Sequence, residues 1–337
     1  MKSSFDAVAF ARTLINIDST TGREAEAGRW LSRELRERGY TVIEQPVGGG
    51  RANVFATIDR PDVVLSTHYD CVPPFFPCRL EGGRLYGRGS CDAKGILAAQ
   101  FAAVERLRAA GERRVGLLFV AGEERGSDGA VLANSRPAGS RFLVNGEPTD
   151  SRLAAATRGI LRVRLVAAGR AAHSAAPQAG ESAIEKLVDA LVQLRDLQLP
   201  SDAHLGETFY TVGLIGGGVA PNVVPAHASA EVLFRIIGPA DDVLAAIRPL
   251  EPRVTIEEVL RMPPVRMRTV PGFETAVFPF TTDVPLLDRW GAPLLFGPGS
   301  FLVAHTDDEH LSLAELHAAI DSYERLARAL LITTESG

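Results

Sequence analysis

Cysteine is scarce in this chain, with three among 337 residues, at positions 71, 78 and 91. Three thiols cannot make a disulfide framework, and Cys71, Cys78 and Cys91 lack the spacing of a zinc knuckle. They read as small buried residues, and the expected setting is a reducing cytoplasm. Positive charge is not in excess either: 36 Lys and Arg face 41 Asp and Glu, for a net charge of −5. That balance gives no electrostatic case for nucleic acid or an anionic membrane surface as partner. No apolar run approaches the ~18 residues of a membrane span. The opening MKSSFDAVAFARTLIN puts Asp6 and Arg12 where a signal peptide needs an unbroken apolar core. Internal repeats and low-complexity segments are lacking too. Gly216-Gly217-Gly218 lacks the GxGxxG or GxxxxGK spacing of a phosphate loop and reads as a bend.

What is present is an ample core. The chain is 46% hydrophobic and 23% charged, and its length suggests two domains. It is organised around Val63 to Gly95, VVLSTHYDCVPPFFPCRLEGGRLYGRGSCDAKG. An apolar strand, Val63-Val64-Leu65, ends in Ser66, Thr67, His68, Tyr69 and Asp70. Side chains alternate along a strand, so His68 and Asp70 share an edge. A metal-binding imidazole usually donates its second N–H to a carboxylate, the role this spacing offers Asp70. A Pro- and Gly-rich loop then delivers Asp92 at the entry to an apolar helix.

The rest of the chain alternates strands and helices. Thr21-Gly22-Arg23-Glu24 has the form of a capping box opening a helix that ends at Gly39. The apolar run Val115–Val120 reads as a strand covered on both faces and ends in Gly122-Glu123-Glu124. The strand Arg141–Val144 ends in Gly146-Glu147-Pro148-Thr149. This alternation implies a mostly parallel α/β sheet, where chemistry gathers beyond the carboxyl ends of strands. Residues 157–261 read instead as βαββαβ, a small ferredoxin-like layer inserted as a second domain. Residues 1–156 and 262–337 then form a discontinuous first domain.

His68, Asp92, Glu124, Glu147 and His305 all fall at loop positions of this pattern, with Glu123 and Asp70 beside them. So many carboxylates in one cleft resist ionising together, and two divalent cations resolve the conflict. The mixed N/O donor set suits zinc, with cobalt or manganese as alternatives. Asp92 could bridge two metals at the ~3.5–4 Å spacing of two-metal hydrolases, and a bound water would have its pKa lowered toward ~7. Glu123, next to a ligand but not needed as one, suits a general base. Isolated histidines such as His204, His227, His310 and His317 read as ordinary surface or core residues.

The segments STHYDCVPP, GRGSCDAKG, GEE, GEPT, AAHSAAPQAG, GGGVAPNVVP and GPGS…AHTDDE, in this order, make the chain resemble the M20 metallopeptidases and deacylases. The resemblance implies a zinc-peptidase-type α/β catalytic domain holding two Zn²⁺, and a ferredoxin-like lid that often forms a homodimer. It implies one metal on His68, Asp92 and Glu147, and the other on Asp92, Glu124 and His305. Glu123 would be the general base, Asp70 the partner of His68, and His173 the lid residue that steadies the scissile carbonyl. Asn222, Arg235 and Gly299 match substrate-binding positions. Glu147 stands where deacylases of the family resemble this chain more than its peptidases do. Cys91 and Ala175 depart from the usual pattern without touching a ligand. The expected activity is removal of an acyl group from an N-acyl amino acid, as in acetylornithine deacetylase. The rivals are a dipeptidase or carboxypeptidase of the same chemistry, and a non-catalytic binding protein on the same fold.

Overall fold

The computed structural model describes residues 5–203 and 205–335; His204 lies outside the described residues. The chain divides into two compact units. One runs to Ala155 and takes in Met267–Ala276 and the chain from Thr282 on; the other is Ala156–Arg266 with Val277–Thr281. The short return Val277–Thr281 has no counterpart in the sequence reading.

The first unit is built on six strands in the order Thr41–Gly48, Arg51–Thr57, Val115–Val120, Val63–His68, Phe142–Asn145, Ala292–Leu295. The last four run parallel, and the first two join antiparallel at one edge. The Val63–His68 strand sits among the parallel four with every residue buried. Its side chains serve two cores in alternation. Val63 and Leu65 join the larger apolar cluster, while Val64 packs with Leu118, Val120, Leu143 and Trp290 on the other face. Period-two alternation with both faces covered explains why these strands read as unbroken apolar runs.

The Lys94–Ala109 helix fills the larger cluster, with Ile96, Leu97 and Phe101 fully buried. Phe101 meets Phe10 and Tyr40 edge-on at 5.2 and 5.8 Å. Emptying such an aromatic site costs about 3–5 kcal/mol. This helix begins just after Asp92, so core packing and the site are anchored by one element.

The capping box does not form. The Ala25–Glu37 helix starts with Glu24 at its N-cap and no side-chain cap. The Thr21 hydroxyl is engaged elsewhere, donating to Asp70 Oδ2 at 2.9 Å. The buried Glu24 carboxylate accepts from Gly22 N at 2.6 Å and Arg51 Nη1 at 3.2 Å. Two residues that look like local capping signals are spent on tertiary contacts.

The second unit carries four antiparallel strands in the order Phe209–Gly217, His227–Ile236, Gly159–Ala168, Thr255–Met262. The helices Ala183–Asp196 and Ala240–Ile247 intervene in a βαββαβ sequence. Leu161, Val163, Leu165 and Ala167 face the core they share with Leu187 and Leu194. Among the described residues no helix is long and apolar enough to cross a membrane.

Candidate active site

Asp70 is the hub on which the site is hung. Wholly buried, its carboxylate accepts from the Thr21 hydroxyl, from Glu123 N at 3.0 Å and from Glu124 N at 3.2 Å. Burial opposes its ionisation, but His68 and these donors outweigh burial and hold the carboxyl below its usual range. Gly122 makes the turn that aims the two amides, with φ of +81° and no room for a Cβ, which would lie 2.1 Å from Asp128 Oδ1. Only glycine takes that conformation without strain.

His68 is oriented by the same hub. Its Nδ1 lies 3.1 Å from the Asp70 carbonyl oxygen and 3.5 Å from Asp70 Oδ1. Both partners are acceptors, so in the neutral ring Nδ1 carries the proton and Nε2 is a lone pair. That lone pair faces Asp92 Oδ1 at 3.0 Å, with Glu147 Oε2 at 3.9 Å. Asp92 turns its other oxygen to His305 Nε2 at 3.3 Å, and His305 Nε2 also meets Glu124 Oε1 at 3.0 Å. Asp92 therefore stands between both histidines. His305 reaches it from a left-handed backbone, φ 64°, a conformation that costs a non-glycine residue about 1–2 kcal/mol.

The electrostatics are those of a site that demands a cation. Hydrogen bonds donated to Asp92, and then to Glu124, push the His305 imidazolium up to about 10. Burial drives Glu147 and Glu123 well above the usual carboxylate range; for Glu123 the charge of Glu147 adds to it. Glu147 Oε1 is buried with no hydrogen-bond partner. Ligand atoms of His68, Asp92 and Glu124 all lie within 4.8 Å of one another. An orphaned buried carboxylate oxygen, two imidazoles and a shared aspartate fit divalent metal, and the N/O set is one that zinc accepts.

Residues 64–329 match the peptidase family M20/M25/M40. The chain belongs to this family. It is 37% identical to a probable carboxypeptidase of Aspergillus clavatus, over 98% of this chain and 83% of that protein. Its fold is similar to that of a tripeptidase from Staphylococcus aureus, with a TM-score of 0.82 at 18% identity, covering 97% of this chain and 100% of that one. It is also similar to a dinuclear metal-binding M20 peptidase of Bacillus subtilis, with a TM-score of 0.73 at 15% identity, covering 97% of both. Membership makes the chain a hydrolase of amide bonds on a mixed α/β fold with a central sheet.

Not every sequence candidate of the M20 pattern lies in this cluster. His173, Asn222 and Arg235 belong to the second unit. There His173 bridges Val223, and Ser174 N donates to the Asn222 carbonyl at 3.0 Å, so these two loops adjoin. Ala175 N donates to His173 Nδ1 at 3.1 Å. Nδ1 is thereby an acceptor and the exposed ring offers Nε2–H. Arg235 is partly buried, and its Nη1 has no partner. Gly299 packs against Cys91, whose Sγ would lie 2.5 Å from an added Cβ.

Four residues packed around this cluster escaped the sequence reading. Thr21 was spent on a supposed cap. Arg88 and Glu309 form a buried pair at 2.6 Å, and Glu309 Oε1 accepts from Cys91 N and Asp92 N, both at 3.1 Å. Both sit inside quoted motifs, GRGS and AHTDDE, so the signal was there. Asp283 is wholly buried, and burial pushes its carboxyl up to about 6. Its charge adds to the pressure on Glu123 and Glu147, and nothing in TTDVP announces it.

Proposed function

We propose that this chain is a metal-dependent peptidase that releases the C-terminal residue of short peptides, as a carboxypeptidase or dipeptidase. The observation that carries the proposal is the meeting of His68, Glu124, Glu147 and His305 around Asp92, beside Glu123. The name of the Aspergillus relative supports the peptidase reading over the deacylase reading that Glu147 suggested.

The five residues would hold two divalent cations, zinc by preference, with Asp92 shared. Such cations supply Lewis acidity and lower the pKa of water, which amide hydrolysis needs near neutral pH. Glu123 takes the proton of the attacking water and returns it to the leaving nitrogen. A carboxyl held beside the metal ligands, and not needed as one, suits that exchange. Asp70 fixes the tautomer and direction of His68. His173, in the second unit, would offer its Nε2–H to charge developing on the substrate carbonyl. Arg235, with Asn222, clamps the free α-carboxylate; its unpartnered Nη1 supports that role. Gly299 contributes backbone near the substrate.

We further propose a homodimer through the second unit. Phe209–Gly217 ends its sheet and carries Leu214 and Ile215 at 65% and 63% exposure. An exposed apolar edge of this kind is what a two-fold mate covers. The test of function is a panel of dipeptides against N-acetyl amino acids, with zinc, cobalt or manganese added. Hydrolysis of dipeptides well ahead of N-acetyl amino acids is expected. The reverse order would restore the deacylase reading.

A further inference from the structure

A cavity of about 430 Å³ opens beside Glu124, lined by Val72, Pro73, Pro74 and Phe75 together with Asp18, Thr20, Thr21, Arg23 and Arg125. It lies wholly within the first unit. Its walls are registered to the site. Thr21 holds Asp70 through its hydroxyl, and Thr21 N donates to the Cys71 carbonyl at 3.0 Å, just before the Val72–Phe75 wall. Arg125 follows Glu124 in the short turn Glu123–Arg125, whose first two amides are bound by Asp70.

The lining holds two carboxylates and two guanidiniums, and three of these four groups are already engaged. Asp18 is committed to Arg23 at 3.0 Å and to the Thr20 hydroxyl at 2.9 Å. Glu124 is turned to His305. Arg125 is exposed, and among the described residues its guanidinium has no hydrogen bond or ion pair. One unspent cation thus lines a cavity that also has apolar lining, next in sequence to Glu124. A guanidinium pairs a carboxylate with two parallel hydrogen bonds.

We infer that this cavity is the subsite for the acyl-side residue of the substrate, and that Arg125 selects a side chain with a carboxylate on a short apolar stem, a glutamyl residue. This rests on the peptidase reading. The stem lies along Pro74 and Phe75, and the carboxylate reaches Arg125.

The test compares Glu-Ala, Gln-Ala and Lys-Ala on the metal-loaded protein. The shared C-terminal alanine keeps the other contacts constant. Expected is a kcat/KM for Glu-Ala about fivefold above Gln-Ala, the upper range for a solvent-exposed ion pair. The preference should shrink in 1 M salt, where screening acts over ~3 Å. Arg125→Ala should bring the Glu/Gln ratio to near one, and Arg125→Glu should raise Lys-Ala above Glu-Ala. Using ratios removes any general loss from a change so close to Glu124. A ratio near one in the parent, or a preference that survives both variants, overturns the inference while dipeptide hydrolysis stands. If no dipeptide is cleaved and N-acetyl amino acids are, the peptidase reading falls and this inference falls with it.

Discussion

Replacing Glu309 by Gln probes how the metal-binding loops are held. In the parent, the Glu309 carboxylate is fully buried and takes three hydrogen bonds: Arg88 Nη1 at 2.6 Å, and Cys91 N and Asp92 N at 3.1 Å each. It therefore ties His305's loop, four residues upstream, to the loop that presents Asp92. Glutamine keeps a carbonyl oxygen for the two amides but leaves the Arg88 guanidinium, 1% exposed, without its counter-charge. Removing one partner of a buried pair costs about 3–5 kcal/mol. Arg88 retains the Pro74 carbonyl at 3.2 Å and the Phe76 ring at 4.9 Å, which places the loss near the lower figure. For a unit of this size, about 3 kcal/mol lowers Tm by roughly 6–12 °C. Thermal and urea melts of the parent, Glu309→Gln, Arg88→Met and the double variant measure it. The double variant should recover part of the loss, since it removes the uncompensated buried charge that the single change leaves on Arg88. Metal-induced stabilisation should also fall in Glu309→Gln, because Asp92 is less firmly placed. A single variant within 1 kcal/mol of the parent, with unchanged metal-induced stabilisation, would refute the reasoning.

Three further outcomes follow from the assigned roles. Glu123→Gln should keep its metal and lose ~10²–10⁴-fold in kcat, the worth of a positioned acid–base group; Glu124→Gln should instead weaken metal binding, and equal metal loss in both would reverse the assignment. Arg235→Ala should harm peptides with a free C-terminal carboxylate far more than their amides, and equal loss on both would mark Arg235 as an ordinary strand residue. Coexpressed Glu123→Ala and His173→Ala chains should recover activity at about a quarter of all sites if His173 serves the other subunit of a two-fold dimer; a verified mixed dimer without activity would confine His173 to its own chain.

Much of the first unit was legible because its central strands are buried on both faces. Val115–Val120 reads as a strand from its apolar run alone, and the polar residues that break such runs mark where side chains enter the cleft. His68, Glu124 and Glu147 were found in that way. Asp92 and His305 were harder, since loops give no period, and they emerged from the set as a whole. Local signals misled where tertiary contacts outbid them. Thr21 and Glu24 have capping chemistry, yet the Thr21 hydroxyl is bound to Asp70 and the Glu24 carboxylate to Gly22 N and Arg51. Arg88, Glu309 and Asp283 show why supporting residues are hard to read: their partners are far away in sequence, and a buried charge looks the same on paper as an exposed one. Arg125 is the converse, a residue whose interest lies in the partner it does not have.

The central claim is that Asp92 and its neighbours hold divalent metal on which peptide hydrolysis depends. Exhaustive chelation, metal analysis of the stripped protein, and back-titration with zinc, cobalt or manganese while following dipeptide hydrolysis test it most directly. The account predicts that activity disappears with the metal and returns as ions rebind, saturating at two per chain, and that Asp92→Asn shows neither the binding nor the return. Full turnover in protein verified to be metal-free would contradict it.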